Sequence, residues 1–137
     1  MAAFDTDYLI IGSGFGGSVS ALRLAQKGYR VMVVEQGRRF APQDMPESTR
    51  NLRRFLWLPA LFCRGFFSLR LFRHMLVLHG NAVGGGSVVY ANTLLVPPEK
   101  VWRSGTWALL RDWAAEMPEH YRTAEKMLGV TTNPLLA

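Results

Sequence analysis

The sequence predicts an α/β fold built on a doubly wound parallel sheet, and three observations carry that expectation. A short apolar run at 8–11 leads straight into Gly12, Gly14, Gly16 and Gly17. A helical stretch then stops at Gly28, and a second apolar run closes on the acid Glu35. A second glycine cluster, Gly84, Gly85 and Gly86, follows further along the chain.

Each element has a local reason. Tyr8, Leu9, Ile10 and Ile11 lie between Asp7 and Gly12, as a short buried strand should. Residues 18–27 place Val19, Leu22 and Leu24 at spacings that suit a helix, and Gly28 ends it. Residues 30–35 are rich in valine and read as the second strand. Strand, glycine turn, helix and strand form a βαβ unit, whose crossover is right-handed. Residues 87–96 are expected to add a third strand, ended by Pro97 and Pro98. Thr106 is expected to cap a helix over 107–116, and Pro118 to open another through about Met127. Leu109, Leu110, Trp113, Tyr121, Met127 and Leu128 are their candidate core positions.

Length and composition bound the class. The chain has 137 residues, enough for one domain or a piece of a larger one. With 49% apolar and 19% charged residues it is not a disordered chain. The single cysteine, Cys63, excludes an internal disulfide and a cysteine-rich zinc site, and no metal site is expected. The net charge of +6 is local: eight arginines but only Asp44 and Glu47 lie between Arg38 and Gly80. No nucleic-acid-binding module accompanies that charge. The amino terminus carries Asp5 and Asp7 and no basic residue, unlike a signal peptide. The most apolar later run, 55–63, has nine residues and contains Pro59, against the ~20 needed to span a bilayer. A soluble, cytoplasmic protein is the expectation.

The turn at 12–17 carries the chemistry. Gly12 permits a tight turn, Gly14 lets the backbone approach a pyrophosphate, and Gly17 lets helix and strand pack closely. The helix start, at Phe15 and Gly16, presents unpaired N–H groups and a partial positive charge to phosphate. Glu35 lies 23 residues after Gly12, at the end of the second strand, where its carboxylate can accept both hydroxyls of a ribose. A glycine turn that binds nothing is the plainer alternative; strand, helix, strand and acid in one register argue against it. Arg38 and Arg39 invite a 2′-phosphate, but Glu35 would repel one, so an adenosine with free hydroxyls, as in FAD or NAD, fits better. The sheet is thus of the Rossmann-like, FAD/NAD(P)-binding kind, here incomplete. The run Gly84, Gly85 and Gly86 costs backbone entropy wherever it is held in regular structure, and a close approach of backbone to the same ligand would account for it.

With both glycine clusters in view, the chain resembles the glucose–methanol–choline (GMC) oxidoreductases, and the Val83, Gly84, Gly85, Gly86, Ser87, Val88 and Val89 run looks most like their cholesterol-oxidase branch. The resemblance covers essentially the whole chain and is strongest at 7–38 and 78–97. It implies FAD, with the first turn on the diphosphate, Glu35 on the ribose beside Gln36, and Gly85, Gly86 and Ser87 against diphosphate and flavin. The family usually carries Asn or His where this chain has Tyr90, with Asn92 two places on, so the resemblance implies non-covalent FAD. It also implies oxidation of an alcohol, plausibly a sterol, by a histidine base with a second histidine or asparagine near the family's carboxyl terminus. No catalytic residue is assigned in this chain; His74, His79 and His120 are read as structural. The other readings are another FAD- or NAD-dependent dehydrogenase and a non-catalytic nucleotide-binding piece. Residues 1–98 are then the first part of an FAD-binding domain and 99–137 a helical connection toward a substrate domain, with an open sheet edge and an uncovered apolar face.

Residues 51–79 alternate arginines with Leu52, Phe55, Leu56, Trp57, Phe62, Phe66, Phe67 and Leu69. Pro59 and Gly65 are expected to break them into short helical or irregular pieces. Two readings stand: a lid or peripheral membrane contact with arginines on anionic head groups, or apolar residues covered by other parts of the protein.

Overall fold

A computed structural model describes residues 5–46 and 51–134. Glu47 and Arg50 of the basic segment, and the first four residues of the terminus read as unlike a signal peptide, lie outside the described residues. The chain divides into two compact units, Met1–Ala91 and Asn92–Ala137.

The first unit opens with the expected βαβ. Strand β1 (Tyr8–Ile11) pairs in parallel with β2 (Val31–Val34), and helix α1 (Phe15–Gln26) connects them. Tyr8 lies opposite Val31 and Ile11 opposite Val34. The Asp7 carboxylate sets this register by accepting from the Arg30 backbone N–H at 2.8 Å and from its guanidinium at 3.0 Å. Helix α1 ends on Gly28 in the left-handed region (φ 88°), where Gly28 N–H donates to Ala25 O and Tyr29 N–H to Leu24 O.

Residues 51–79 are expected to form short helical or irregular pieces, and the structure instead places mainly short strands there. Only α2 (Leu52–Phe55), capped by Asn51, is helical beyond a single turn of 3₁₀ helix at Pro59–Leu61. The rest is antiparallel: β3 (Trp57–Leu58) with β4 (Cys63–Arg64), and β5 (Phe67–Leu71) with β6 (Leu76–Gly80). Gly65 lets the pieces nest, because a Cβ there would overlap the Phe55 carbonyl. Phe66 is buried against Phe40, Phe55 and Phe67 at ring separations of 4.9–5.7 Å. Such pairs contribute about 0.5–1.5 kcal/mol each beyond simple burial.

The expected third strand over 87–96 does not form. Gly84 and Gly85 both take positive φ, 101° and 56°, and curl the chain into a 3₁₀ turn over Gly85–Val88. The Ser87 hydroxyl and N–H both donate to the Gly84 carbonyl and hold that turn. Residues 94–97 belong to no strand among the described residues. Tyr8, Leu9, Ile11, Met32, Val33 and Val34 stay exposed, so the two-stranded parallel sheet has the open edges and apolar surface that the sequence predicts.

In the second unit, α3 (Glu99–Trp102) and a 3₁₀ turn at Thr106–Leu109 precede one long helix, α4 (Trp113–Leu128). The expected division at Pro118 is incorrect. Asp112 caps the helix through its side chain, accepting from Ala115 N–H, and Pro118 lies inside it. Having no N–H, Pro118 leaves the Ala114 carbonyl without its helical donor. Trp113 and Tyr121 are half-buried, whereas Leu109, Leu110, Met127 and Leu128 are exposed and not core. No described helix is long and apolar enough to cross a membrane.

Candidate dinucleotide site

The two glycine clusters meet, and Ser13 joins them. The Ser13 N–H and hydroxyl both donate to Glu35 Oε2 at 2.8 Å, while Gly84 N–H donates to Ser13 Oγ at 2.9 Å. Ser18 Oγ donates in turn to the Ser13 carbonyl at 2.6 Å. Ser13 is only 9% exposed, so these bonds face little competition from water. First turn, strand-end acid and second cluster are therefore one hydrogen-bonded assembly.

The glycines differ in what requires them. Gly12 has φ 92°, a conformation that L side chains avoid. A Cβ on Gly17 would overlap the Gly12 carbonyl and come within 3.3 Å of Ile10 Cγ2, so helix–strand packing alone demands glycine there. Gly14 and Gly16 are opposite cases: a Cβ on either meets nothing within 4 Å. Gly85 comes so near that a Cβ would lie 2.9 Å from Gly14 Cα, and one on Gly86 would lie 3.6 Å from the Phe15 ring. Tyr90 packs edge-on against Phe15 at 5.6 Å.

Gly14, whose backbone is ordinary (φ −66°), stands immediately before helix α1, which has no side-chain cap and no acid in its first turn. The N–H groups of Phe15, Gly16 and Gly17 precede the first intrahelical bond, Ser18 N–H to Gly14 O, and so have no acceptor within the helix. Uncapped donors at the positive end of a 12-residue helix, beside open space at Gly14, suit an anionic group such as a diphosphate.

Glu35 faces inward. Oε2 takes the two Ser13 donors and Oε1 accepts from Gly37 N–H at 2.9 Å. Three hydrogen bonds thus already fall on its two oxygens, so it can accept fewer further donors than a free carboxylate. Burial pushes its carboxyl up, but the Gly37 and Ser13 N–H groups, the Ser13 hydroxyl and the Gln36 N–H outweigh that, leaving its pKa below the ordinary range. The Gln36 side chain, two residues past β2, donates to Asn81 Oδ1, just after β6; Asn81 is 3% exposed and its Nδ2 has no partner among the described residues. Ser87 is committed to its own turn. Asn92, with φ 56°, opens the second unit.

A cavity of about 390 Å³ opens beside Glu35, lined also by Ser13, Ser18, Ala21, Arg39 and Val83. Ser13 and Arg39 were not among the site residues expected from sequence. A hydroxyl set between two turn glycines is the one local signal for Ser13; its contact with Gly84 spans 71 positions and leaves none.

A pH prediction follows from this geometry. A carboxylate whose folded pKa is depressed adds stability above its unfolded pKa and loses it as pH falls through the folded value. Ser13→Ala removes one donor and raises the folded pKa of Glu35. Urea unfolding across a pH series should therefore show a shallower loss of stability below about pH 4.3 in the variant. Equal acid dependence in both proteins would contradict the Ser13–Glu35 coupling.

Comparison with known proteins agrees with the geometry. A family model described as an NAD(P)-binding Rossmann-like domain matches residues 10–66. The chain is 58% identical to a cholesterol oxidase of Acinetobacter baumannii over 96% of its length, covering 24% of that protein. It is 32% identical to a long-chain-alcohol oxidase of Arabidopsis thaliana over 93% of its length, covering 16% of that protein. It is also 32% identical, over 94%, to an uncharacterised GMC-type oxidoreductase of Mycobacterium tuberculosis, covering 20% of it. The chain thus spans at most about a quarter of these relatives. Fold and turn are those of a Rossmann-like chain. Within that class, it resembles the GMC oxidoreductases, cholesterol-oxidase branch, along nearly all of its residues.

Proposed function

We propose that the chain holds FAD, non-covalently, in a flavin-dependent oxidoreductase that oxidises an alcohol. The observation that carries this reading is the union of the two glycine clusters through Ser13, beside the uncapped start of α1 and the vacant space at Gly14. Phe15, Gly16 and Gly17 would take the diphosphate with backbone N–H groups, and Glu35 would accept from an adenosine ribose hydroxyl. A carboxylate at that sugar disfavours a 2′-phosphate, which speaks against NADP. Gly85 and Gly86 would allow the second cluster to lie close along the cofactor, and Tyr90, where the family carries Asn or His, offers no histidine for a covalent flavin bond. When bound, FAD would supply two-electron redox chemistry, and this chain would supply binding and orientation.

The names of the relatives, a cholesterol oxidase and a long-chain-alcohol oxidase, support a hydrophobic alcohol as substrate, with a sterol favoured by the higher identity. No histidine here is proposed as the base. His74 is exposed, His79 lies on β6 with Nδ1 near its neighbour's carbonyl, and His120 lies on α4. NAD is the second reading, favoured by the description of the matching family model.

The test is reconstitution. Incubated with FAD and desalted, the 137-residue chain should retain the flavin's visible absorbance, and anaerobic cholesterol should leave that absorbance unchanged. Retention of NAD but not FAD would overturn the FAD assignment. Bleaching by cholesterol would contradict the view that the base lies outside this chain.

A further inference from the structure

A second cavity, of about 360 Å³, is lined by Arg38, Arg53, Arg54 and Arg64 together with Phe40 and Phe62. It shares no lining residue with the cavity at Glu35, since the neighbours Arg38 and Arg39 divide between the two. We propose that this arginine-lined cavity is a binding site for a phosphate group, carried by a soluble phosphate compound or by the headgroup of an anionic phospholipid. The proposal does not rest on the dinucleotide reading.

Three separate elements bring the guanidiniums together. Arg53 and Arg54 lie on α2, and Arg64 on β4 opposite Trp57. Arg38 follows β2 and is held by backbone pairing: its carbonyl accepts from Val83 N–H at 3.0 Å. The Arg38 guanidinium lies over the Phe40 ring at 5.4 Å, and Phe40 packs on buried Phe66 at 5.7 Å. The close nesting of Gly65 against Phe55 fixes β4 beside α2. Part of the site is therefore preformed.

Among the described residues the charge within it is compensated only in part. One carboxylate, Asp44, lines the cavity, and its Oδ2 already accepts from Ala41 N–H. The ion pairs among the described residues are Arg30 with Asp7, Arg103 with Glu99 and Arg111 with Glu116; none involves these four arginines. Like charges around one concavity repel each other, and that repulsion is relieved when an anion enters. Guanidinium forks match phosphate oxygens in pairs, and a tetrahedral phosphate can receive forks from several directions where a carboxylate offers only two oxygens. Phe62, at the cavity's lining and 83% exposed, holds a left-handed backbone (φ 58°) directly after exposed Leu61. That apolar rim is what makes a lipid headgroup the second source to test.

The experiment uses the whole chain at constant ionic strength. Inorganic phosphate is titrated while arginine side-chain Nε–H signals are followed by NMR. Vesicles of phosphatidylcholine, with and without phosphatidylglycerol, are tested by co-sedimentation. Saturable shifts of Arg38, Arg53, Arg54 and Arg64 with phosphate, absent with chloride, support a soluble ligand. Sedimentation with phosphatidylglycerol vesicles alone, competed by phosphate, supports the lipid. In either case Arg53→Gln/Arg54→Gln should weaken binding about tenfold or more, while Arg53→Lys/Arg54→Lys, keeping charge without the forks, should weaken it less. All four arginines are exposed, so unchanged far-UV circular dichroism is expected in both variants. Phosphate shifts no larger than those of chloride together with no vesicle binding, or binding undiminished in the glutamine variant, would overturn the proposal.

Discussion

Gly17→Val should unfold the amino-terminal βαβ unit. The added Cβ alone would overlap the Gly12 carbonyl, and Ile10 Cγ2 blocks retreat at 3.3 Å. Both neighbours belong to the strand and turn on which α1 rests, so relief requires the helix to move off the sheet. Overpacking of this kind costs about 3 kcal/mol. Phe66 and Ala82 are the buried apolar residues among those described, so little other packing offsets such a loss. Chemical denaturation of wild type and variant side by side checks this. Equal midpoints would mean that helix and strand do not approach as closely as described.

Gly14→Val should leave the fold intact and remove the cofactor. The two glycines lie three residues apart, yet their surroundings are opposite. Gly14 has an ordinary φ of −66°, and a Cβ there meets nothing within 4 Å. No contact of the chain with itself explains why this position is glycine; a ligand pressed against the backbone does. A valine would hold the diphosphate away from the N–H groups of Phe15, Gly16 and Gly17. Charge-assisted bonds are worth about 1.5–3 kcal/mol each, so loss of one or two weakens binding by about 100-fold. The thermal transition of the variant should match that of wild type while FAD retention disappears.

The βαβ unit was legible because every signal for it is local. Apolar runs, the helical spacing of Val19 and Leu22, and stops at Gly12 and Gly28 each act within a few residues. The departures from expectation also have physical reasons. Residues 87–96 look strand-like in composition, but two positive-φ glycines and the Ser87 turn decide the start of that path. Pro118 looks like a helix start, while the Asp112 cap placed the start earlier. In 67–71, Phe67, Leu69 and Leu71 alternate with Ser68 and Arg70 at a strand's period, yet abundant arginine and aromatic residues hid the hairpin. The glycines of the site could be read from spacing, whereas the bond from Gly84 to Ser13 exists only after folding.

ADP, the half of FAD that these residues would hold, gives the most direct measurement. Titrated into the ¹⁵N-labelled chain and followed by amide NMR, it should produce saturable shifts that are largest at Phe15, Gly16, Gly17 and Glu35. Gly14→Val should abolish them. Absence of saturable shifts at the helix start, or the same shifts in Gly14→Val, would contradict the claim that backbone donors there clasp a dinucleotide.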